Sequence, residues 1–254
     1  MPSPQSSVKI TSLCTHHDAM SLIPKKLKRG FEALLGPLVD WLIARHVNPN
    51  SLTTIGTLVL LGSGVAFGMA EVRLGAFLLL LSGVFDMLDG RVARGGEVAS
   101  KFGGFYDSTL DRVGEAALYA GIAIYFMTGG VPGWLTIPAV VLAISALSFS
   151  LIVSYARARA EGLGFDCTVG IGQRAERILG LGAPSLFFGA GPNGYLLLGI
   201  VTLLAILAFV TVIQRIHHVY KLTHKKRRVT QVGRVTPALA EYQLSAKGKE
   251  SSGE

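Results

Sequence analysis

Apolar residues run along this chain in long blocks separated by short polar hinges, a pattern of membrane-crossing helices rather than of a soluble core. The first block is shorter and striped. Phe31, Leu34, Leu35, Leu38, Val39, Leu42 and Ile43 recur at helical spacing, Glu32, Asp40 and Arg45 fall off the stripe, and Lys25, Lys26, Lys28 and Arg29 precede it. This predicts an amphipathic helix lying on a membrane surface, with Gly36-Pro37 as the place for a kink. Asn48-Pro49-Asn50-Ser51, a breaker and cap cluster, then opens an apolar block from about Leu52 to Ala70. Further blocks start near Leu74, near Gly104 (to Met127), near Trp134 (to Tyr155) and near Tyr195 (to Ile213), with a weaker one ending about Gly189 and interrupted by Pro184. The expected fold class is an all-α integral membrane protein: six transmembrane helices preceded by an N-terminal amphipathic juxtamembrane helix.

The second span forces an unusual placement. Only twelve apolar residues, Leu74 to Phe85, precede Asp86, too few to cross about 30 Å of hydrocarbon at about 1.5 Å per residue. The helix must therefore continue through Asp86 and Asp89, and the next span returns with Asp107 and Asp111 in its first turns. An Asp inside a bilayer costs roughly 2.5–3.5 kcal/mol and usually faces a polar cavity, pairs, or binds a cation. Asp86 and Asp89 are three apart and Asp107 and Asp111 four apart, so each pair shares a helix face and the two pairs can converge. Four such carboxylates need a neutralising cation, and oxygen-only ligands favour Mg²⁺ or Mn²⁺. Gly90 and Gly103 leave room for a close approach to the backbone, and Arg94, five residues past Asp89, can meet a phosphate.

Composition agrees. Half of the 254 residues are hydrophobic, 16% are charged, and the formal net charge is +8. The mean hydropathy is +0.48. Lys and Arg lie at the ends of apolar blocks, which points to membrane lipid headgroups and phosphorylated substrates and away from nucleic acid. Six spans place both termini on one side. That side carries the N-terminal lysines, the Arg91–Lys101 and Arg157–Arg177 loops and the basic tail, so the termini and the acidic site are expected to face the cytoplasm from the cell membrane. Residues 1–19 read as a disordered extension, 20–220 as the membrane domain and 221–254 as a basic disordered tail. Cys14 and Cys167, the only cysteines, read as free thiols.

The stretch Asp86-x2-Asp89-Gly90-x2-Ala93-Arg94-x8-Gly103-x3-Asp107-x3-Asp111 resembles the signature of the CDP-alcohol phosphotransferases, membrane enzymes of phospholipid synthesis, at every fixed position. The resemblance implies transfer of a phosphatidyl group from CDP-diacylglycerol to an alcohol, with release of CMP. It implies that Asp86, Asp89, Asp107 and Asp111 hold one or two divalent ions against the donor pyrophosphate, and that Asp111 is also the general base. It implies that Gly90, Ala93, Arg94 and Gly103 shape the cytidine and phosphate pocket. Asn50 and Thr53, by their own chemistry helix-capping residues, match a family motif that helps hold the nucleotide. A homodimer is expected on the same ground.

The acceptor is written elsewhere. Ser154-Tyr155-Ala-Arg157-Ala-Arg159-Ala-Glu161, Arg174-Ala-Glu176-Arg177 and Gln214-Arg215-Ile-His217 are similar to three segments of the phosphatidylinositol phosphate synthases, a branch of that family. Ala175 stands where that branch often has Pro, and Arg157 where it often has Lys. By this resemblance Arg157, Arg177 and Arg215 bind the phosphate of inositol 1-phosphate, with glycerol 3-phosphate as the alternative acceptor. For the arginines alone, positive-inside topology would suffice. Two non-enzymatic readings compete: a cation channel or transporter lined by the carboxylates, and an assembly protein whose Asp residues only pair with Arg91, Arg94 and Arg112. Against the first, no acidic residue lies in the outer half of a span. Against the second, simple pairing does not require the Gly and Ala positions to match.

Overall fold

A computed structural model describes residues 25–167, 169–170 and 174–250, with side chains placed between Leu34 and His224; the extension 1–19 and Cys14 lie outside them. Seven α-helices follow in order among the described residues: α1 Lys25–Ala44, α2 Pro49–Gly68, α3 Val72–Gly95, α4 Lys101–Tyr125, α5 Thr136–Gly162, α6 Arg174–Phe188 and α7 Tyr195–Glu250. Among the described residues there is no strand. Three segments among the described residues are long and apolar enough to cross a membrane: Pro49–Gly68, Gly133–Gly162 and Pro192–His224. α3 and α4 have the length, at 24 and 25 residues, but carry the four motif aspartates, and α6 has only 15 residues.

Local chemistry sets the helix starts that matter. Asn48 caps α2, its side chain accepting from the Asn50 N–H at 2.9 Å, and Pro49 takes the first turn, where its missing donor costs nothing. Ser100 caps α4 by accepting from the Gly103 N–H at 2.9 Å. α2 then lies against both α3 and α4. Its approach to α4 is backbone on backbone: a Cβ built on Gly121 would stand 1.9 Å from the Gly64 carbonyl oxygen, and one on Gly64 would stand 2.4 Å from that of Ala117. No side chain fits there, and small residues are what bring helices close where lipid provides no hydrophobic drive.

The packing is inverted relative to a soluble protein. Small residues, Ala76, Ala139, Ala143, Ala146 and Ala205, share the main core with Leu60, Phe67, Leu79, Ile122 and Val201. Large apolar side chains such as Leu58, Val65, Ile137, Val141, Leu203 and Ile206 face outward. A second cluster seats Leu35, Val39 and Leu42 of α1 against Leu52, Leu88 and Val92, which ties α1 to the end of α3 that carries the acidic motif.

Two expectations change. Pro184 does not interrupt α6, which runs through it; a proline removes one backbone donor, and packing of α6 against α3 and α7 holds the helix across that loss. α7 continues to Glu250, past residue 221 where disorder was expected. Lys, Arg, Gln, Ala, Leu and Glu make up much of that stretch and are good helix formers, with Gly233, Pro237 and Gly248 the main exceptions.

Candidate active site between two cavities

The two helices of the motif, α3 and α4, meet as their spacing requires. One carboxylate oxygen from each of Asp86, Asp89 and Asp107 lies within 4.8 Å of the others. Asp89 is the most enclosed, 6% exposed, and accepts a hydrogen bond from Thr53 Oγ1 at 2.7 Å. The Thr53 hydroxyl also lies 3.1 Å from the Pro49 carbonyl, so the cap of α2 fixes the side chain that steadies Asp89. A hydrogen bond to a charged group contributes about 1.5–3 kcal/mol, which helps hold this carboxylate away from bulk water.

Asp111 stands outside that triangle. Arg174, in the first turn of α6, hydrogen-bonds Asp111 Oδ1 through Nη1, and the same nitrogen is 3.0 Å from Asp86 Oδ1. Asp107 Oδ1 is buried with no hydrogen-bond partner. A hole of about 20 Å³, lined by all four aspartates, Thr53 and Arg174, lies between them, room for one water-sized particle. Converging carboxylate oxygens, an orphaned acceptor and a hole of that size fit a hard divalent cation, and Asp86, Asp89, Asp107 and Asp111 are the residues that would hold it.

Two large cavities open on either side of Asp107 and Gly104, which line both. The first, about 860 Å³, is walled by Asn50, Thr53, Asp89, Gly90, Ala93, Arg94 and Gly103, every residue expected to hold the nucleotide. Arg94 folds over Gly90, where an added Cβ would lie 3.3 Å from Nη1. Gly103 faces Asn50, whose Oδ1 would be 3.2 Å from a Cβ there. The second cavity, about 760 Å³, is lined by Asp111 and by Arg112, Arg157, Arg174, Arg177 and Arg215. The three arginines expected to read the acceptor phosphate are thus brought together.

Those three are held differently. Arg177, 11% exposed, donates from Nη1 to Ser150 Oγ and has Nη2 3.6 Å from Glu115 Oε1, while Ser150 Oγ donates to the same carboxylate; Nε is buried without a partner. Arg215 is aimed by backbone, donating from Nε to the Val169 carbonyl at 3.0 Å and from Nη1 to that of Val153. Arg157 is exposed and pairs only locally, Nε to Glu161 Oε1 at 2.8 Å one turn on. Sequence reasoning missed Glu115 and Ser150 and gave Arg174 no place among the carboxylates. Glu115 had a signal: it continues the four-residue step from Asp107 to Asp111 along α4. Tyr106, whose hydroxyl lies 3.0 Å from Thr54 Oγ1 and ties α4 to α2, had none.

Cys167 is buried and free, as expected.

Comparison with known proteins fits this geometry. The profile of the CDP-alcohol phosphatidyltransferase family matches residues 46–214, which include the four aspartates and every residue lining the two cavities except Ile43 and Arg215. The chain belongs to that family of membrane transferases. It is 36% identical over 200 residues to archaetidylinositol phosphate synthase of Methanothermobacter thermautotrophicus, covering 78% of this chain and 97% of that one. It is 38% identical over 153 residues to phosphatidylinositol phosphate synthase of Cutibacterium acnes, covering 60% and 72%. Among solved structures, Mycobacterium tuberculosis phosphatidylinositol phosphate synthase with CDP-DAG bound superposes with a TM-score of 0.64 at 28% identity, over 72% of this chain and 92% of that one. The same enzyme has been solved with manganese and citrate, again at a TM-score of 0.64 and 28% identity, over 72% and 88%.

Proposed function

We propose that the protein transfers a phosphatidyl group from CDP-diacylglycerol to the hydroxyl of inositol 1-phosphate and releases CMP. The observation that carries this reading is the pair of cavities joined at Asp107, one lined by the nucleotide motif and the other by five arginines. The Mycobacterium tuberculosis enzyme, with CDP-DAG bound, supports the donor, and the relatives named for archaetidylinositol and phosphatidylinositol phosphate support the acceptor.

Each residue has a task in that reaction. Asn50, Thr53, Gly90, Ala93, Arg94 and Gly103 receive the cytidine and its phosphates in the first cavity. A divalent ion on the aspartates, when bound, supplies positive charge to the pyrophosphate and lowers the cost of charge building up at phosphorus. Arg157, Arg177 and Arg215 grip the acceptor phosphate through charge-assisted hydrogen bonds and turn its hydroxyl toward the junction. Asp111, which lines the second cavity and not the first, takes the hydroxyl proton as the oxygen attacks the donor phosphorus and the bond to CMP breaks. Because the arginines read the phosphate rather than the polyol, glycerol 3-phosphate satisfies the same contacts and is the second candidate.

The setting goes with the reaction. The apolar exterior and the family support six spans made by α2 to α7, with α1 as an amphipathic helix on the cytoplasmic face of the cell membrane, both termini and the site facing the cytoplasm. The membrane domain would run from about residue 20 to 220, and the enzyme would work as a homodimer. The test offers purified protein CDP-diacylglycerol and Mg²⁺ with inositol 1-phosphate, glycerol 3-phosphate, serine or free inositol, and follows CMP. Inositol 1-phosphate should be preferred and EDTA should silence the reaction; preference for another alcohol refutes the acceptor, and full activity in EDTA refutes the site.

A further inference from the structure

The place of Arg174 among the aspartates is not accounted for by the acceptor pocket. Its Nη1 touches Asp86 on α3 and Asp111 on α4, one carboxylate from each acidic pair. Among the described residues it is the only cation lining the 20 Å³ hole, and it also lines the arginine-walled cavity. Its position explains how four carboxylates coexist in an apolar bundle: a buried charge without a partner is costly, and one guanidinium shared by two carboxylates lowers that cost.

That arrangement conflicts with a metal ion. A guanidinium and a divalent cation on the same oxygens would stand a few ångströms apart and repel each other. The side chain has a polar way out, into the cavity of about 760 Å³ that it already borders. Arg112, Arg157, Arg177 and Arg215 line that space with Asp107, Asp111, Glu115 and Glu161; once a divalent ion takes up Asp107 and Asp111, the two glutamates do not balance five arginines, and an anion offsets the excess.

We infer that Arg174 is the resident counter-ion of the carboxylate site, that a divalent ion displaces it, and that the displaced guanidinium becomes a further ligand of the acceptor's phosphate. The second half rests on the acceptor reading above; the first does not. Displacement makes metal and acceptor cooperative, since each favours the swung-out side chain, and such coupling must be reciprocal.

The experiment measures Mn²⁺ binding to the purified protein by the electron paramagnetic resonance of the free ion, with no lipid donor and no turnover. Arg174→Gln, which removes the competitor, should bind Mn²⁺ about three- to tenfold more tightly than the parent, within the usual range of allosteric coupling. Inositol 1-phosphate should tighten Mn²⁺ binding by the parent and leave the variant unmoved. Equal or weaker Mn²⁺ binding by the variant overturns the counter-ion role. An equal effect of inositol 1-phosphate on both proteins overturns the swing, as does no effect on the parent of either inositol 1-phosphate or glycerol 3-phosphate. Coupling in the parent by glycerol 3-phosphate alone would keep Arg174's role and reject only the acceptor identity. Should Arg174→Gln not fold, Arg174→Met takes its place: a side chain of similar length without charge cannot compete with a cation for Asp86 and Asp111, so its Mn²⁺ affinity should exceed the parent's, and a failure to do so counts equally against the proposal.

Discussion

The two cavities share Asp107 and Gly104 yet, on the proposed reading, solve anion binding in opposite ways. The nucleotide side has three acids, Asp89, Glu97 and Asp107, against the single guanidinium of Arg94. Small residues line much of the rest. A pyrophosphate there meets a surface of its own sign unless a metal ion intervenes. The acceptor side has five arginines against four acids, with Arg215 aimed by backbone carbonyls and Arg177 by Ser150 and Glu115. It needs no metal to hold a phosphate. A charge-dense pyrophosphate bridged by a metal ion and a single phosphate gripped by guanidinium groups have different needs, and the lining residues divide accordingly.

The most severe test of that division is at Asp111, which lines only the acceptor side of the two large cavities. Asp111→Asn keeps the volume and the hydrogen bond to Arg174 but cannot take a proton. CMP release should fall at least about a hundredfold, the lower end of what a positioned base contributes. CDP-diacylglycerol binding, measured directly, should survive. A variant that turns over normally removes Asp111 from the chemistry, and one that loses donor binding first moves it to the other cavity.

Next in size is Arg177→Ala. Losing charge-assisted hydrogen bonds worth about 1.5–3 kcal/mol should raise the KM for inositol 1-phosphate by about ten- to a hundredfold. The KM for the lipid donor should not change. Glu115 keeps Ser150 as a partner in the variant, so the loss should appear in the acceptor KM more than in thermal stability. An unchanged acceptor KM would leave Arg177 as a structural arginine. Comparable loss in both substrates would mean that the cavities are not independent.

Much of this was legible because two different periodicities carried it. The helical step of three and four residues put Asp86 with Asp89 and Asp107 with Asp111, and the shortness of the apolar run before Asp86 forced the carboxylates into the helix; both hold in α3 and α4. What the residues could not reveal is which charges pair across helices. Asp86 and Arg174 are 88 positions apart, and nothing in the local pattern tells a topological arginine from one that enters the carboxylate site. The same holds for Ser150, an unremarkable residue of an apolar span that lies between Glu115 and Arg177. At the tail the compositional reading of disorder met a helix, because charge and polarity argue against a packed core without arguing against helical backbone.

The smallest expected effect is at Gly103, and it separates packing from binding by sign. Gly103 sits in the first turn of α4, where its N–H bonds the cap residue Ser100. An added methyl would stand 3.1 Å from Ser100 Oγ and 3.2 Å from Asn50 Oδ1, tight enough that Asn50 must shift by a few tenths of an ångström. Alanine is a better helix former than glycine by about 1 kcal/mol, so Gly103→Ala should leave thermal stability unchanged or slightly raised. If Asn50 and the open backbone at Gly103 hold the nucleotide, the same variant should raise the KM for CDP-diacylglycerol by about three- to tenfold, the 0.7–1.4 kcal/mol of one imperfect contact. The acceptor KM should stay as it was, since Gly103 lines only the nucleotide cavity. A stable variant with an unaltered donor KM would reduce Gly103 to a packing residue, and a rise in the acceptor KM instead would mean that α4 transmits strain across Asp107 rather than dividing the two sites.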